Sequence, residues 1–208
     1  MHPTYLARVE LDPRDREAAK LASNPHWMHG FVEAAVAIDR QGAPRWLYHL
    51  STSRGVTQLL VQSPVPTRWD HAPHGCIAAL EQKEITAFLE GVDTGMVYDF
   101  ALTAGPRRRN TTARIAEGAP REEPLRTDEE RLAWLERSLH GAAELLAADV
   151  VRVTRSTAEL PSGRLPVGHT EFLGTLRVVS RLKLQGAIVD GLGPQKAYGN
   201  GLLRIQRH

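Results

Sequence analysis

The stretch YLARVELDPRDREAAKLASNPHWMHGFVEAAV (residues 5–36) contains the change of hydrophobic period on which the fold reading turns. Tyr5, Ala7, Val9 and Leu11 alternate with Leu6, Arg8 and Glu10, the period of a half-buried strand, until Asp12-Pro13 ends the run. A short charged helical segment follows from Arg14 to Leu21. Ser23-Asn24-Pro25 then has the chemistry of a helix start, with an Asn cap and Pro at the first helical position. Met28, Phe31, Val32 and Ala35 give the new helix an apolar stripe, and Gly42-Ala43-Pro44 is expected to stop the chain there.

Working outward, Arg45–Ser53 and Val56–Ser63 read as strands around a turn at Arg54-Gly55. A loop holding Pro, Trp and His leads to an expected helix near Glu81–Leu89 and a strand near Met96–Thr103. The order β-α-β-β-α-β is the split-βαβ, ferredoxin-like pattern. Gly105 to Arg126 shifts to Pro, Gly, Arg and Glu, with one short strand at Thr111–Ala116, and reads as a link. Thr127-Asp128-Glu129-Glu130 is a capping box opening a helix with Leu132, Leu135, Leu139 and Ala142 on its apolar face. Strands at Val150–Thr157 and Glu171–Ser180 flank a polar hairpin tip, followed by a helix at Arg181–Asp190, a Gly-rich loop and a strand at Leu202–Ile205. The expected fold is α+β, two tandem ferredoxin-like (RRM-like) βαββαβ domains, residues 1–105 and 106–208.

Composition sets the outer limits. The chain has 208 residues, 42% hydrophobic and 24% charged, which excludes collagen-like, coiled-coil and wholly disordered classes. A formal charge of +2 does not by itself announce a nucleic-acid partner. The single cysteine, Cys76, excludes an internal disulfide framework and a multi-cysteine zinc site. No run approaches the ~18 apolar residues of a membrane span, and MHPTYLARVELDP lacks an apolar signal run, so a cytoplasmic protein without a membrane partner is expected.

Three features suit chemistry. Gly191, Gly193, Gly199 and Gly201 surround Lys196 in a segment read either as an anion cradle or as a tight helix-to-strand connection. It lacks the strand-to-helix context of a dinucleotide or Walker loop. His26 and His29 lie at i, i+3 near a helix start and share with Glu33 a face away from the apolar stripe. Such a pair suits proton transfer near neutral pH, and two merely solvated histidines have the same spacing. Arg107, Arg108 and Arg109 after a strand, with Arg152, Arg155 and Arg164 on the second-half hairpin, suit phosphate contacts or equally a solvated face. His71, His74 and Cys76 lie close together without a fourth ligand at zinc spacing, so no metal site and no cofactor is expected, and Cys76 reads as inert.

Several ordered segments carry a resemblance. Leu6–Ala18 with Leu21-Ala22-Ser23-Asn24-Pro25 and Met28-His29, then Phe100–Pro106, Ala133-Trp134-Leu135-Glu136-Arg137 and the glycine segment around Lys196, resemble the CasE endoribonucleases of type I-E CRISPR systems, which process precursor CRISPR RNA. The likeness runs from end to end. It implies two tandem ferredoxin-like domains and hairpin-specific, metal-independent cleavage within CRISPR repeat RNA. It further implies that the enzyme stays on its product stem-loop beside the other subunits of the Cascade complex. His29 stands at the family's catalytic histidine. His26 stands where the family often has tyrosine, and Glu33 and Ala34 where a basic residue is frequent. The candidate RNA-binding set is Lys196 and the four glycines of the family-like segment, together with Arg152, Arg155, Arg164, Arg107 and Arg108, which are read from their placement alone.

The implied chemistry needs few groups. RNA carries its own nucleophile, the 2′-OH, which attacks the adjacent phosphorus in line and leaves a 2′,3′-cyclic phosphate and a 5′-OH. The protein holds that geometry, moves a proton and steadies the phosphorane charge, with Lys196 or a nearby arginine as the candidate cation. A competing class is a non-catalytic CRISPR RNA-binding subunit of the same fold. A third, a generic ferredoxin-like ligand-binding module, leaves the ordered motifs unexplained.

Overall fold

The computed structural model describes residues 2–36, 45–112, 116–118 and 121–207. The expected stop at Gly42-Ala43-Pro44 lies outside these residues, as does the middle of the strand expected at Thr111–Ala116.

The opening strand β1 (Tyr5–Leu11) buries Ala7, Val9 and Leu11, as its alternation demands. Asp15 caps α1 (Arg16–Ser23) by accepting the Ala18 N–H at 2.8 Å. α2 (Pro25–Val36) lays Met28, Phe31, Val32 and Ala35 on the sheet, so the expected stripe is its buried face. β2 (Leu47–Ser53) and β3 (Val56–Ser63) form a hairpin whose two-residue turn sets Arg54 at φ 50° and Gly55 at 79°. Both values match the primed turn that follows the twist of paired strands.

Three expectations need correction. Ile77–Glu84 is a strand, β4, pairing antiparallel with β1, and only Thr86–Glu90 is helical (α3), where a helix was expected at Glu81–Leu89. Ala78, Ala79, Leu80, Glu81, Gln82 and Lys83 favour helix intrinsically. The free edge of β1 offers them a full ladder of backbone bonds instead, and tertiary pairing overrides weak propensity. Secondly, β5 (Val97–Ala104) does not close the first sheet. It pairs with β9 (Gly163–Val178) and β10 (Leu203–Arg207) in the second. The chain thus changes sheet between Glu84 and Val97, ahead of the expected division at residues 105/106. Thirdly, the second-half hairpin is one long ladder of β8 (Ala143–Leu160) against β9, turning at Pro161-Ser162. Most of the expected polar tip is paired strand.

Between β5 and β8 lie a small ribbon, β6 (Arg107–Arg109) with β7 (Glu122–Pro124), and α4 (Asp128–Leu139). The capping box is present: the Glu130 N–H donates to Thr127 Oγ1 at 3.3 Å, and the Thr127 N–H donates to Glu130 Oε2 at 3.4 Å. After β9 come α5 (Arg181–Asp190), a 3₁₀ turn at Lys196–Tyr198 and β10.

The molecule is therefore α+β, with two four-stranded antiparallel sheets ordered β2-β3-β1-β4 and β10-β5-β9-β8. Both follow the ferredoxin-like order. In the first, the loop at 64–76 replaces the second crossover helix. Each sheet has its own core: Val9, Phe31, Val32, Leu59 and Val61 in one; Phe100, Leu135, Leu139, Phe172 and Leu176 in the other. The Gln62 amide donates to the carbonyl of Ile188 at 2.9 Å, tying β3 to the end of α5.

Candidate functional site

His29 lies one residue past the buried Met28, in the second turn of a helix that Asn24 and Pro25 open. The Asn24 side-chain oxygen accepts the His26 N–H at 3.0 Å, and the Asn24 carbonyl accepts the Met28 N–H at 3.1 Å. His26, His29 and Glu33 are all half-buried, not a fully exposed face as the spacing suggested. The His29 ring stacks on Trp46 with centroids 5.0 Å apart and planes 25° apart, and meets Tyr198 at 6.5 Å. Packing on two sides limits how far the imidazole can turn. Trp46 and Tyr198 escaped the sequence reading. The available signal was the pair of aromatics at Trp46 and Tyr48 entering a strand, and a tyrosine inside the glycine segment.

The glycine segment leaves α5 and packs against α2 and β2. At Gly191, φ is 72°, and a Cβ there would meet Leu47 at 2.8 Å; at Gly199, φ is 82°, and a Cβ would meet the Tyr48 ring at 3.1 Å. Gly193 and Gly201 share the left-handed backbone, with Trp134 and the Leu192 carbonyl against them. The tight-connection reading thus accounts for all four glycines. Its consequence is placement: the segment brings Tyr198 to His29. The Tyr48 hydroxyl lies 3.3 Å from the Pro25 carbonyl and 3.2 Å from that of Ala197, tying the start of α2 to the segment. Burial and then neighbouring Tyr198 push the Tyr48 phenol far above its ordinary value, so it stays a donor.

The candidate cations fall in separate places. Lys196 donates to the Asp190 carbonyl at 2.8 Å; burial and then the charge of Arg45 lower its pKa, partly countered by Asp190. Arg45, a cation beside Lys196, was missed because it sits at the expected strand start without a motif. Arg152 pairs with Glu171 at 3.8 Å and lines the cleft between the sheets. Arg155 lies on the other face of the ladder, with Arg107 and Arg131 around a hollow of about 330 Å³. Arg164 pairs with Glu159 at 3.3 Å beside the hairpin turn. Arg108 is held by Glu123 at 2.6 Å and Glu130 at 3.0 Å, so its charge is already answered.

The cleft between the sheets, about 510 Å³, is lined by His49, Thr103, Arg152, Ser156, His169, Glu171 and Arg204, among others. His49 is lowered to about 3, first by burial and then by the charges of Arg204 and His169. His169 is lowered mainly by burial, and its ring nitrogens lie 2.8 Å from Ser156 Oγ and 3.0 Å from Asn200 Oδ1. Asn200 also donates to the Gly168 carbonyl at 3.0 Å, stitching the glycine segment to β9.

Cys76 is buried, and its thiol is raised by that burial and by Asp15 and Glu17. His71 contacts the Phe31 carbonyl at 3.0 Å. Among the described residues, no group of three or more His, Cys, Asp or Glu side chains is placed to hold a metal ion, and no helix is long and apolar enough to cross a membrane.

A family model described as CRISPR associated protein matches residues 4–207. The chain belongs to that family. It is 29% identical to the CRISPR-associated endoribonuclease Cse3 of Thermus thermophilus over 219 aligned residues, which span 97% of this chain and 99% of that one. A structure of Cse3 bound to a 19-nucleotide RNA superposes with a TM-score of 0.86 at 27% identity, covering 98% of this chain and 99% of the other. Thermus thermophilus Cse3 bound to an RNA representing a pre-cleavage complex superposes with a TM-score of 0.85 at 28% identity, with coverage of 98% and 99%. The resemblance to the CasE endoribonucleases read from the sequence is thereby borne out, and this CRISPR-associated chain has its His29 and glycine segment in one place.

Proposed function

We propose that this protein is an endoribonuclease that cuts CRISPR repeat RNA at a stem-loop by attack of the RNA's own 2′-OH, without a metal or other cofactor. We further propose that it stays on the product within a Cascade-type complex in the cytoplasm. The observation that carries the reading is the half-buried His29, stacked on Trp46 and beside Tyr198, in a chain related from end to end to an endoribonuclease seen with RNA.

His29 moves the proton, from the 2′-OH or to the leaving 5′-oxygen, and its packed ring keeps the imidazole oriented for that transfer. His26, one turn earlier, assists in orientation or in proton transfer. Lys196 and Arg45 supply positive charge next to the segment that holds Tyr198, where it steadies the developing phosphorane. Arg152, Arg155, Arg164 and Arg107 grip the phosphates of the stem. Arg108 contributes less because two carboxylates already engage it. The glycines at 191, 193, 199 and 201 let the segment pack tightly on the protein and so hold Tyr198 beside His29.

One observation favours a second reading, a non-catalytic RNA-binding subunit. His26, Glu33 and Ala34 occupy positions where the family often carries tyrosine and a basic residue. Product analysis separates the two. Cleavage of the cognate repeat RNA should proceed in excess EDTA and leave a 2′,3′-cyclic phosphate and a 5′-OH. One 2′-deoxy nucleotide immediately upstream of the cut should block it with binding intact. A strict need for Mg²⁺ or a 5′-phosphate end contradicts the mechanism, and tight binding without any cut supports the second reading.

A further inference from the structure

Asn24 is 3% exposed, and its side chain does more than cap a helix. Its Oδ1 accepts the His26 N–H at 3.0 Å and, from the other sheet's hairpin, the Glu159 N–H at 3.2 Å. Its Nδ2 donates to the Glu159 carbonyl at 3.4 Å. One amide thus holds both backbone groups of a single residue in β8 while fixing the first turn of α2. Ala158, the neighbour of Glu159, is fully buried, so this end of the hairpin is seated and not free in solvent. The Glu159 carboxylate in turn pairs with Arg164 across the ladder at 3.3 Å.

We propose that Asn24 is a positioning residue that couples the hairpin's grip on RNA to the placement of His29. The inference rests on the reading of His29 as the proton-transfer group and of the β8–β9 hairpin as an RNA-gripping element. The path is continuous and short. A phosphate drawn to Arg164 loads the Arg164–Glu159 pair, the Glu159 backbone is held by Asn24, and the same amide oxygen sets the His26 N–H one turn before His29. A shift of that turn moves the imidazole relative to a phosphate held by the other unit. Misplacement by ~1 Å at a reacting group can cost roughly 10²-fold in rate.

Substitutions at Asn24 separate coupling from simple capping, because Ser and Asp both cap helices about as well as Asn. Asn24→Asp keeps an acceptor that reaches both N–H groups and loses only the weaker 3.4 Å donation to the Glu159 carbonyl. Asn24→Ser keeps a cap but its hydroxyl is too short to hold Glu159 as well. At saturating repeat RNA, single-turnover cleavage should fall by about 10- to 100-fold in Asn24→Ser and only about 2- to 5-fold in Asn24→Asp. The dissociation constant for RNA should stay within about threefold in both. Equal rates for the two variants mean that Asn24 only caps α2, and overturn the proposal.

Hydrogen exchange with a 2′-deoxy, uncleavable repeat RNA tests the coupling without any chemistry. RNA should slow exchange of the amides at 26–28 as well as 158–160 in the wild type, and at 158–160 alone in Asn24→Ser. Protection confined to 158–160 in the wild type contradicts the proposal. If the wild type shows the coupled protection yet cuts no RNA, the coupling stands and the endoribonuclease reading fails.

Discussion

Gly30 and Gly199 show how the same residue type answers to opposite local demands. At Gly30, in the middle of α2, a Cβ would meet nothing within 4 Å, so the helix gains no contact from the glycine and loses order to it. Gly30→Ala should raise stability by about 0.5–1 kcal/mol, read from the midpoint of urea unfolding. At Gly199 the backbone is left-handed at φ 82° and a Cβ would press on Tyr48 at 3.1 Å. Gly199→Ala should cost about 1–2 kcal/mol from the backbone alone. It should also slow RNA cleavage, because Tyr198 rides on the same turn beside His29. A Gly199→Ala protein of unchanged stability contradicts the packing role given to the segment. His29 is singled out as a candidate in the sequence by its spacing with His26 and by the family likeness. Trp46 and Tyr198 are not, because their nearness to His29 comes from a strand entry and a loop far apart in sequence, which no local period encodes.

At the scale of elements, legibility followed the strength of local signals. α2 carries an apolar stripe and α4 a capping box, and both lie close to where the sequence placed them, although α4 ends at Leu139 and leaves Ala142 beyond it; α5 spans the expected Arg181–Asp190 and stops at Gly191. β4 was hidden because it is an edge strand of helix-forming residues, exposed at every position after Ile77. The sheet that takes β5 was hidden because its partners, β9 and β10, lie far along the chain. The length of the hairpin was hidden at its outer parts, because Ala143, Glu144, Leu145, Leu146, Ala147 and Ala148 favour helix and because Gly163, Pro166 and Gly168 interrupt the strand pattern of the returning arm. That hairpin carries a prediction of its own. Removing one phosphate-binding cation should lower the slope of log affinity against log salt by about 0.7–0.9. Arg155→Ala with Arg164→Ala should therefore weaken RNA binding and flatten the slope in a filter-binding series across salt. Unchanged affinity and slope would remove the hairpin from the RNA interface.

For the molecule as a whole, the polar cleft between the sheets ties stability to pH. His49 titrates near 3 when folded against an ordinary value of about 6.5, so between these limits the unfolded chain holds the extra proton. Its contribution is complete above about pH 6.5 and is lost as pH falls toward 3, at up to ~1.4 kcal/mol per pH unit. His169 is shifted in the same direction and adds to the slope. His49→Gln should flatten the fall of unfolding free energy between pH 6.5 and 4.5, measured by urea titration at each pH; an unaltered slope would mean that another group carries it.

The central claim is that His29 does the proton work on RNA gripped elsewhere, and single-turnover cleavage of pre-bound repeat RNA tests it most directly. His29→Ala should slow the cut by at least about 10²-fold, the lower end of general acid–base catalysis, with affinity nearly unchanged. His26→Ala should slow it less, and His26→Tyr should keep or restore the rate. Near-normal cleavage by His29→Ala would contradict the account.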